Sequence, residues 1–176
     1  IYAAFICLPN YPTLCMPCTE NADCNMAGVT DGARCIPSGA AGSFCGGDCT
    51  ELACPTGFTC QEGEDKDGAS GRQCIKDEQN CACSIFAISQ GAKTECEVVN
   101  EFGSCPGERH CSDAAASTGG LTDCEGQAAT AEVCDGTDND CSATTLDGSA
   151  DPQIGAECDG DDMDLCMEGT FACVDG

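Results

Sequence analysis

Apolar residues occur along this chain in short groups that are separated by polar turns. The longest group is Ile1–Leu8 (IYAAFICL), which is much shorter than the roughly 18–20 apolar residues of a membrane-spanning helix. A second group, in residues 84–93 (SIFAISQGAK), predicts a short strand or the seam between two modules. No long segment repeats its apolar residues with the period of a helix. The pattern predicts short β-hairpins and loops with little regular secondary structure, and no insertion into a membrane.

Asp-Gly pairs mark the turns between these groups, because glycine adopts the backbone conformations that tight turns require. The pairs lie at 31–32, 67–68, 135–136, 147–148 and 159–160. The acidic stretch that leads into the second pair, 62–67 (EGEDKD), predicts a solvated hairpin tip.

The chain is poor in large apolar side chains and rich in cysteine. Only 24 of its 176 residues are Ile, Leu, Val or Phe, none is Trp, and 21 are Cys. So few apolar side chains cannot offset a backbone ordering cost of about 1–2 kcal/mol per residue, whereas disulfides stabilise small secreted domains by restricting the unfolded chain. The composition predicts a small disulfide-rich fold of two or more tandem cysteine-rich modules, secreted and extracellular.

The cysteine positions predict a domain organisation. Twelve cysteines lie between positions 7 and 83 and can close among themselves. We therefore expect three parts: an apolar N-terminal strand or tail over 1–14, a cysteine-rich module over 15–84, and an acidic module or modules over 85–176 that is cut short at its C-terminus.

The remaining nine cysteines are an odd number, so at least one stays free or pairs outside the chain. The candidates are Cys158, Cys166 and Cys173, because they lie in the terminal segment. Short loops are favoured, and Cys134 is therefore expected to pair with Cys141.

Charge excludes several classes of partner. The chain has 31 acidic and 6 basic residues, a net charge of −25, so nucleic acid and anionic membrane surfaces would repel it. Cations are the expected partners. The sequence has one histidine, His110, and no glycine-rich phosphate loop, and it therefore predicts neither an enzyme nor an organic cofactor.

Two acidic loops bounded by cysteines are the strongest chemical signal. The segment Cys134–Cys141 (CDGTDNDC) is echoed by Cys158–Cys166 (CDGDDMDLC). Crowded carboxylates repel one another unless a cation lies between them, and alternating Asp residues suit Ca²⁺, which takes six to eight oxygen ligands. The predicted ligands are Asp135, Asp138, Asp140 and Asp147 in the first loop and Asp159, Asp162 and Asp164 in the second. The alternative is that both loops are solvated acidic turns.

Residues 132–148 (EVCDGTDNDCSATTLDG) resemble the metal-binding motif of cysteine-rich surface and secreted proteins, best known in myxobacteria and related delta-proteobacteria. Glu132, the two cysteines and the residues between them follow the pattern Glu-x-Cys-Asp-Gly-x-Asp-Asn-Asp-Cys. Ser142 and Ala143 replace the second Asp-Gly of the family. The resemblance implies an extracellular, metal-binding, non-enzymatic module that occurs in tandem.

The first half is similar to the loosely EGF-like modules of such proteins. The resemblance lies in Cys15-x-x-Cys18, in Phe44–Cys49 (FCGGDC) and in Cys54–Cys60 (CPTGFTC). Redox or zinc chemistry at Cys15-x-x-Cys18 and Cys81-x-Cys83 is the alternative to structural bridging.

The leading hypothesis is a non-catalytic structural protein, stabilised by disulfides and Ca²⁺, that forms a subunit or repeat unit of a bacterial surface fibre, filament or matrix. Its partners would be copies of itself or neighbouring repeats. Contact would run through Ile1–Leu8, which either packs on its own module or adds a strand to a neighbour, and through an intermolecular disulfide. The alternatives are a secreted binding module, such as a protease inhibitor or ligand-capture domain presenting the Lys93 loop, and a copper- or other metal-capturing surface protein.

Overall fold

The computed structural model describes residues 9–25, 32–78, 81–158 and 169–174. The chain divides into two compact units. Unit 1 comprises Ile1–Cys96 and Glu108–Glu125, and unit 2 comprises Glu97–Gly107 and Gly126–Gly176. The chain therefore enters unit 2 twice, and the residues between Gly107 and Gly126 belong to unit 1.

Regular elements are short throughout the described residues. One α-helix, α1, spans Ile85–Ser89, and 3₁₀ helices span Asn21–Cys24, Gly39–Ala41 and Asp113–Thr118. The strands are β1 (Cys35–Pro37), β2 (Ser43–Cys45), β3 (Phe58–Glu64), β4 (Ser70–Lys76), β5 (Lys93–Val99), β6 (Ser104–His110), β7 (Glu125–Gly126), β8 (Glu157–Cys158) and β9 (Gly169–Thr170). The predicted class, a small disulfide-rich fold of short hairpins and loops, is confirmed.

Antiparallel hairpins form the framework. Strands β1 and β2 pair with Cys35 opposite Cys45, and β3 and β4 pair with Cys60 opposite Cys74. Strands β5, β6 and β7 form a three-stranded sheet in that order, and β8 pairs with β9. The predicted turns are confirmed at the Asp-Gly pairs that the structure describes in full, because Gly68, Gly136 and Gly148 all have positive φ, between 75° and 80°. Asp31 and the pair at 159–160 lie outside the described residues.

Helix α1 replaces the strand predicted in 84–93, and that prediction is wrong. The Ser84 hydroxyl accepts a hydrogen bond from the Ala87 N–H (3.0 Å), which satisfies a donor that the first turn leaves unpaired. Ala87 is buried in the core, whereas Ile85 is 86% exposed. Phe86 and Ile88 are half-buried and pack against the same core, so this packing and the serine cap together favour the helix.

The hydrophobic core of the described residues lies in unit 1. It contains few large side chains, chiefly Met16, Phe44 and Leu121, packed with Ala33, Ala87, Ala92 and buried cysteines. Disulfide sulfurs fill much of this space, as expected for a chain with so few apolar residues. Tyr11 anchors the entering segment, since its hydroxyl donates toward the carbonyls of Asp48 (3.2 Å) and Leu52 (3.0 Å).

Nine disulfides join described cysteines. Unit 1 contains Cys15–Cys81, Cys18–Cys35, Cys24–Cys45, Cys49–Cys60, Cys54–Cys74, Cys83–Cys111 and Cys96–Cys124. Unit 2 contains Cys105–Cys141 and Cys134–Cys173.

Two expectations about pairing are wrong. Cys83 does not close within the first twelve cysteines but pairs with Cys111, because the Cys83 N–H donates to Gly119 O (2.7 Å) and draws this segment onto 111–121. Cys134 and Cys141 do not pair with each other. Their loop is already closed by carboxylate–amide hydrogen bonds, and each cysteine ties it to a different segment. Cys158 has no disulfide partner among the described residues, and Cys7 and Cys166 lie outside them.

Candidate metal centre

Backbone amides and aspartates together fold the acidic loop of unit 2. Asp147 accepts from the N–H of Gly136 (2.9 Å) and Asp135 (3.3 Å), and Asp135 accepts from Thr137 N–H (2.8 Å). Asp151 accepts from Cys134 N–H (3.2 Å). Short polar side chains that bond to nearby backbone groups replace the ladder of a strand or helix here. The loop therefore has a defined conformation without an apolar core beneath it.

Three carboxylates converge within this loop. One oxygen from each of Glu132, Asp138 and Asp140 lies within 4.8 Å of the other two. The Ser142 N–H donates to both Asp138 Oδ1 (2.9 Å) and Asp140 Oδ1 (2.8 Å), and so draws two of the three together. Oxygens that share one Ca²⁺ ion at about 2.4 Å lie at most about 4.8 Å apart. The spacing of the three oxygens therefore fits a single calcium-sized ion.

Glu132 is the buried member of the cluster, with 3% of its surface exposed. Its Oε1 accepts from Asp140 N–H (2.7 Å), and its carbonyl accepts from Ala150 N–H (2.9 Å). The ion pairs found among the described residues do not include Glu132. Buried carboxylates in proteins are paired with a cation or coordinate a metal, and Glu132 has no cationic side chain as a partner in the described residues.

No basic side chain of unit 2 is available to neutralise these groups. The 62 residues of the unit include 15 Asp or Glu and no Lys, Arg or His. At an effective dielectric constant of about 20, two like unit charges about 4 Å apart repel by roughly 4 kcal/mol. Any cation that neutralises the cluster must therefore come from outside the unit.

An open depression of about 280 Å³ lies beside the cluster. Glu132, Asp138 and Asp147 line it together with hydroxyl groups of Thr137, Ser142 and Thr145. All of these groups offer oxygen atoms, and oxygen is the ligand type that Ca²⁺ prefers. The arrangement could hold a hard cation with water completing the coordination.

The structure divides the predicted ligands. Asp138 and Asp140 lie together, and Glu132, which belongs to the motif but not to the predicted ligands, joins them. Asp135 and Asp147 are not part of this cluster, although Asp147 lines the depression beside it. The signal for Glu132 was its place in the motif, but it lies outside the alternating Asp pattern, so spacing alone does not reveal it. Asp159, Asp162 and Asp164 lie outside the described residues.

Three clusters that contain cysteine also have the spacing of a metal-ligand set. They are Cys18 with Cys24 and Cys45, Cys49 with Cys54 and Cys74, and Cys134 with Cys173 and Asp147. Every cysteine in them is part of a disulfide. Soft metals bind the thiolate and not the disulfide. The cysteines of Cys15-x-x-Cys18 and Cys81-x-Cys83, considered for zinc or redox chemistry, are likewise all in disulfides.

The acidic turn of unit 1 differs from the predicted solvated tip. Asp65 is buried, and its carboxylate accepts hydrogen bonds from Ala69 N–H (2.9 Å), Arg34 Nη1 (2.6 Å) and Asn21 Nδ2 (3.0 Å). The Ala69 N–H is the main cause of a lowered pKa of Asp65, and Arg34 and Asn21 add to it, against the opposing effect of burial. The prediction of a solvated tip is wrong for Asp65, because unit 1 supplies a guanidinium and amides of its own.

The residues considered for catalysis or recognition are engaged in ordinary contacts. His110 is exposed on β6, with its Nδ1 3.5 Å from Thr122 Oγ1. Lys93 begins β5, and its Nζ lies 2.7 Å from Glu108 Oε1. That hydrogen bond raises the pKa of Lys93. Lys93 is therefore held on a strand, and not presented at the tip of a loop as an inhibitor anchor would be.

Comparison with family models, characterised proteins and solved structures finds no match to this chain. Within the described ranges, no helix is long and apolar enough to cross a bilayer. The nine disulfides are typical of a covalently stabilised domain of extracellular type. Support for a more specific function comes from the geometry of the acidic loop.

Proposed function

We propose that this chain is a non-catalytic extracellular structural protein, stabilised by disulfides and Ca²⁺, that serves as a subunit or repeat unit of a bacterial surface fibre, filament or matrix. One observation carries the proposal. Glu132, Asp138 and Asp140 converge within 4.8 Å in a unit that has no basic residue.

The cation would act by removing repulsion inside the loop. Without it, the buried carboxylate of Glu132 lies beside those of Asp138 and Asp140. Repulsion between these like charges favours an open loop, in which they lie further apart. With it, the attraction of each oxygen to one ion holds the hydrogen bonds that Ser142 and Asp140 N–H donate to the cluster. The cation is thus a structural element of unit 2.

In such an assembly, a neighbouring copy or repeat would cover apolar side chains that unit 2 exposes. Among the described residues these are Val99, Phe102, Val133, Leu146, Ile154, Phe171 and Val174, each at least 38% exposed. Singly placed apolar residues are ordinary on a protein surface, so these side chains fit the proposal and do not carry it.

Limited proteolysis with and without Ca²⁺ tests the proposal. A glutamyl endopeptidase is suitable because it needs no metal and because unit 2 lacks the Lys and Arg that trypsin requires. We expect excess chelator to expose cleavage sites within 126–176 while residues 32–78 stay intact. Equal resistance of both regions with and without Ca²⁺ would contradict the proposal.

Electron microscopy of unreduced protein tests the assembly in the same two solutions. Regular fibres in Ca²⁺ that disperse in chelator are expected. Monomers in both solutions would contradict the fibre and favour the binding-module alternative.

A matched pair of variants tests the site itself. Glu132→Gln and Glu101→Gln each remove one negative charge from unit 2, but Glu101 is exposed and lies outside the loop. Isothermal titration calorimetry should show Ca²⁺ binding weakened by about tenfold or more in Glu132→Gln, equivalent to about 1.4 kcal/mol, and nearly unchanged in Glu101→Gln. Equal effects of the two changes would contradict a specific site and would indicate that cations are attracted only by the net charge of the unit.

A further inference from the structure

Both disulfides described in unit 2 end in the acidic loop. Cys134 lies two residues after Glu132 and pairs with Cys173, and Cys141 directly follows Asp140 and pairs with Cys105. The covalent bonds of the unit are therefore attached at the two ends of the segment that carries Asp138 and Asp140.

The bridge at Cys141 fixes the conformation that brings the carboxylates together. Cys141 has φ +60°, in the left-handed region that residues other than glycine rarely adopt. This turn places the N–H of Ser142 within hydrogen-bond distance of both Asp138 Oδ1 and Asp140 Oδ1. The partner sulfur belongs to Cys105, which is fully buried. Breaking the bridge removes the restraint that keeps the loop in this unfavourable backbone conformation.

The bridge at Cys134 restrains the other end of the loop. The Cys134 N–H donates to Asp151 (3.2 Å), and Cys173 Sγ lies 3.4 Å from Asp147 Oδ2. Asp147 in turn accepts from the Asp135 and Gly136 N–H groups. This bridge therefore lies against the hydrogen bonds that shape the first half of the loop.

We propose that cation binding and the oxidation state of these two disulfides are coupled. The inference rests on the cation site proposed above. The bridges hold the three carboxylates close, so the oxidised unit binds the cation more tightly than the reduced unit. Coupling of this kind is reciprocal, and the bound cation makes the same two bridges harder to reduce by the same factor.

The chemical step is ordinary thiol–disulfide exchange with a dithiol reductant. A thiolate of the dithiol attacks one cysteine sulfur, the S–S bond breaks, and the second thiol then displaces the remaining cysteine. Two electrons and two protons pass to the cysteine pair, and the dithiol closes to a cyclic disulfide.

The test equilibrates the full chain with mixtures of reduced and oxidised dithiothreitol, in Ca²⁺ or in chelator. Alkylation of free thiols and peptide mass spectrometry then report each bridge separately. We expect Ca²⁺ to lower the reduced-to-oxidised ratio of Cys105–Cys141 and Cys134–Cys173 by a factor within roughly 5–150, the range typical of coupled sites. Cys49–Cys60 of unit 1 is the internal control and should not change.

Two further measurements separate failure of the inference from failure of the site. Calorimetry of the oxidised chain that shows no Ca²⁺ binding would overturn the site and the coupling together. Equal Ca²⁺ affinity of the oxidised chain and of chain reduced and alkylated at these four cysteines would overturn the coupling alone. Protection of all nine bridges by the same factor would also overturn it. In Glu132→Gln, the Ca²⁺-dependent protection should appear only at higher Ca²⁺ concentrations than in the unaltered chain.

Discussion

The two units of this chain balance their charges in different ways. Unit 1 contains all six basic residues, and described carboxylates form ion pairs with some of them, in Arg34–Asp65, Lys66–Glu95 and Lys93–Glu108. Unit 2 contains no basic residue, and its described carboxylates turn to backbone amides and to one another. Ion pairs offset part of the negative charge of unit 1, whereas unit 2 has no basic side chain that could do so.

The same contrast appears in packing. Unit 1 has seven disulfides around a small core, whereas the buried apolar residues described in unit 2 are Cys105 and Ala129. A unit with so little buried apolar surface gains little from the hydrophobic effect. Covalent bonds, hydrogen bonds to aspartates and the proposed cation carry the order of unit 2 instead.

The largest expected effect comes from breaking the covalent core of unit 1. Cys24→Ser with Cys45→Ser removes a fully buried bridge and leaves hydroxyls in an apolar site, at a cost of about 2–5 kcal/mol. Denaturant unfolding of unit 1 should shift accordingly, and Ca²⁺ should not restore it. Cys49→Ser with Cys60→Ser is the matched control, because it opens a shorter and more exposed loop and should cost less. Rescue of the first variant by Ca²⁺ would contradict the expectation that Ca²⁺ stabilises unit 2 and not unit 1.

The fold class and the turns could be predicted from the sequence because composition and Asp-Gly pairs act locally. The pairing of Cys83 with Cys111 and of Cys105 with Cys141 could not, because spacing in the chain does not decide which cysteines approach each other in space. Helix α1 was missed for a related reason, since burial of Ala87 is a tertiary property.

The candidate site was predictable only in part. Asp138 and Asp140 follow from their alternating spacing, whereas Glu132 joins them because Ala150 and Asp140 amides hold its backbone and side chain inside the loop. Conversely, Asp135 and Asp147 have the same chemistry as Asp138 and Asp140, but the loop places their oxygens outside the cluster. The conformation of the loop, which a sequence pattern does not record, decides the difference.

A second change disturbs unit 2 without removing a carboxylate. A Cβ atom at Gly103 would overlap the carbonyl oxygen of Asp140, so Gly103→Ala should displace Asp140 at a cost of about 1–3 kcal/mol. We expect weaker Ca²⁺ binding by calorimetry and no change in the unfolding of unit 1. Gly169→Ala is the control, since its nearest neighbour is Cys158 Sγ at 3.3 Å. Full Ca²⁺ affinity in Gly103→Ala would argue against Asp140 as a ligand.

Acid should destabilise unit 1 through Asp65. The folded pKa of Asp65 lies below its ordinary value, chiefly because of the Ala69 N–H, so its contribution is fully present above the unfolded pKa of about 3.9 and is lost as the pH falls through the lower, folded pKa. Chemical unfolding between about pH 2 and pH 5 should show this loss. Asp65→Asn should be less stable at neutral pH and should flatten the profile. If Asp65→Asn leaves the dependence of stability on pH unchanged, carboxylates other than Asp65 cause the acid sensitivity.

The smallest expected effect compares one exposed carboxylate in each unit. Glu95 pairs with Lys66 at 2.5 Å and is 61% exposed, so Glu95→Gln should destabilise unit 1 by about 0.2–1 kcal/mol. Glu101→Gln in unit 2 removes repulsion and no ion pair, and in chelator it should leave the unit as stable or slightly more stable. Hydrogen exchange of each unit measures both changes. Destabilisation of unit 2 by Glu101→Gln would contradict its description as a self-repelling unit.

The distribution of lysine has a practical consequence for labelling. Lys66, Lys76 and Lys93 all belong to unit 1, and unit 2 has no side-chain amine. Succinimide esters, aldehydes and other amine-directed reagents will therefore attach to unit 1 and leave the acidic loop unmodified. A surface coupled in this way would immobilise the chain without consuming its candidate cation ligands, which makes direct measurement of ion uptake on a sensor feasible.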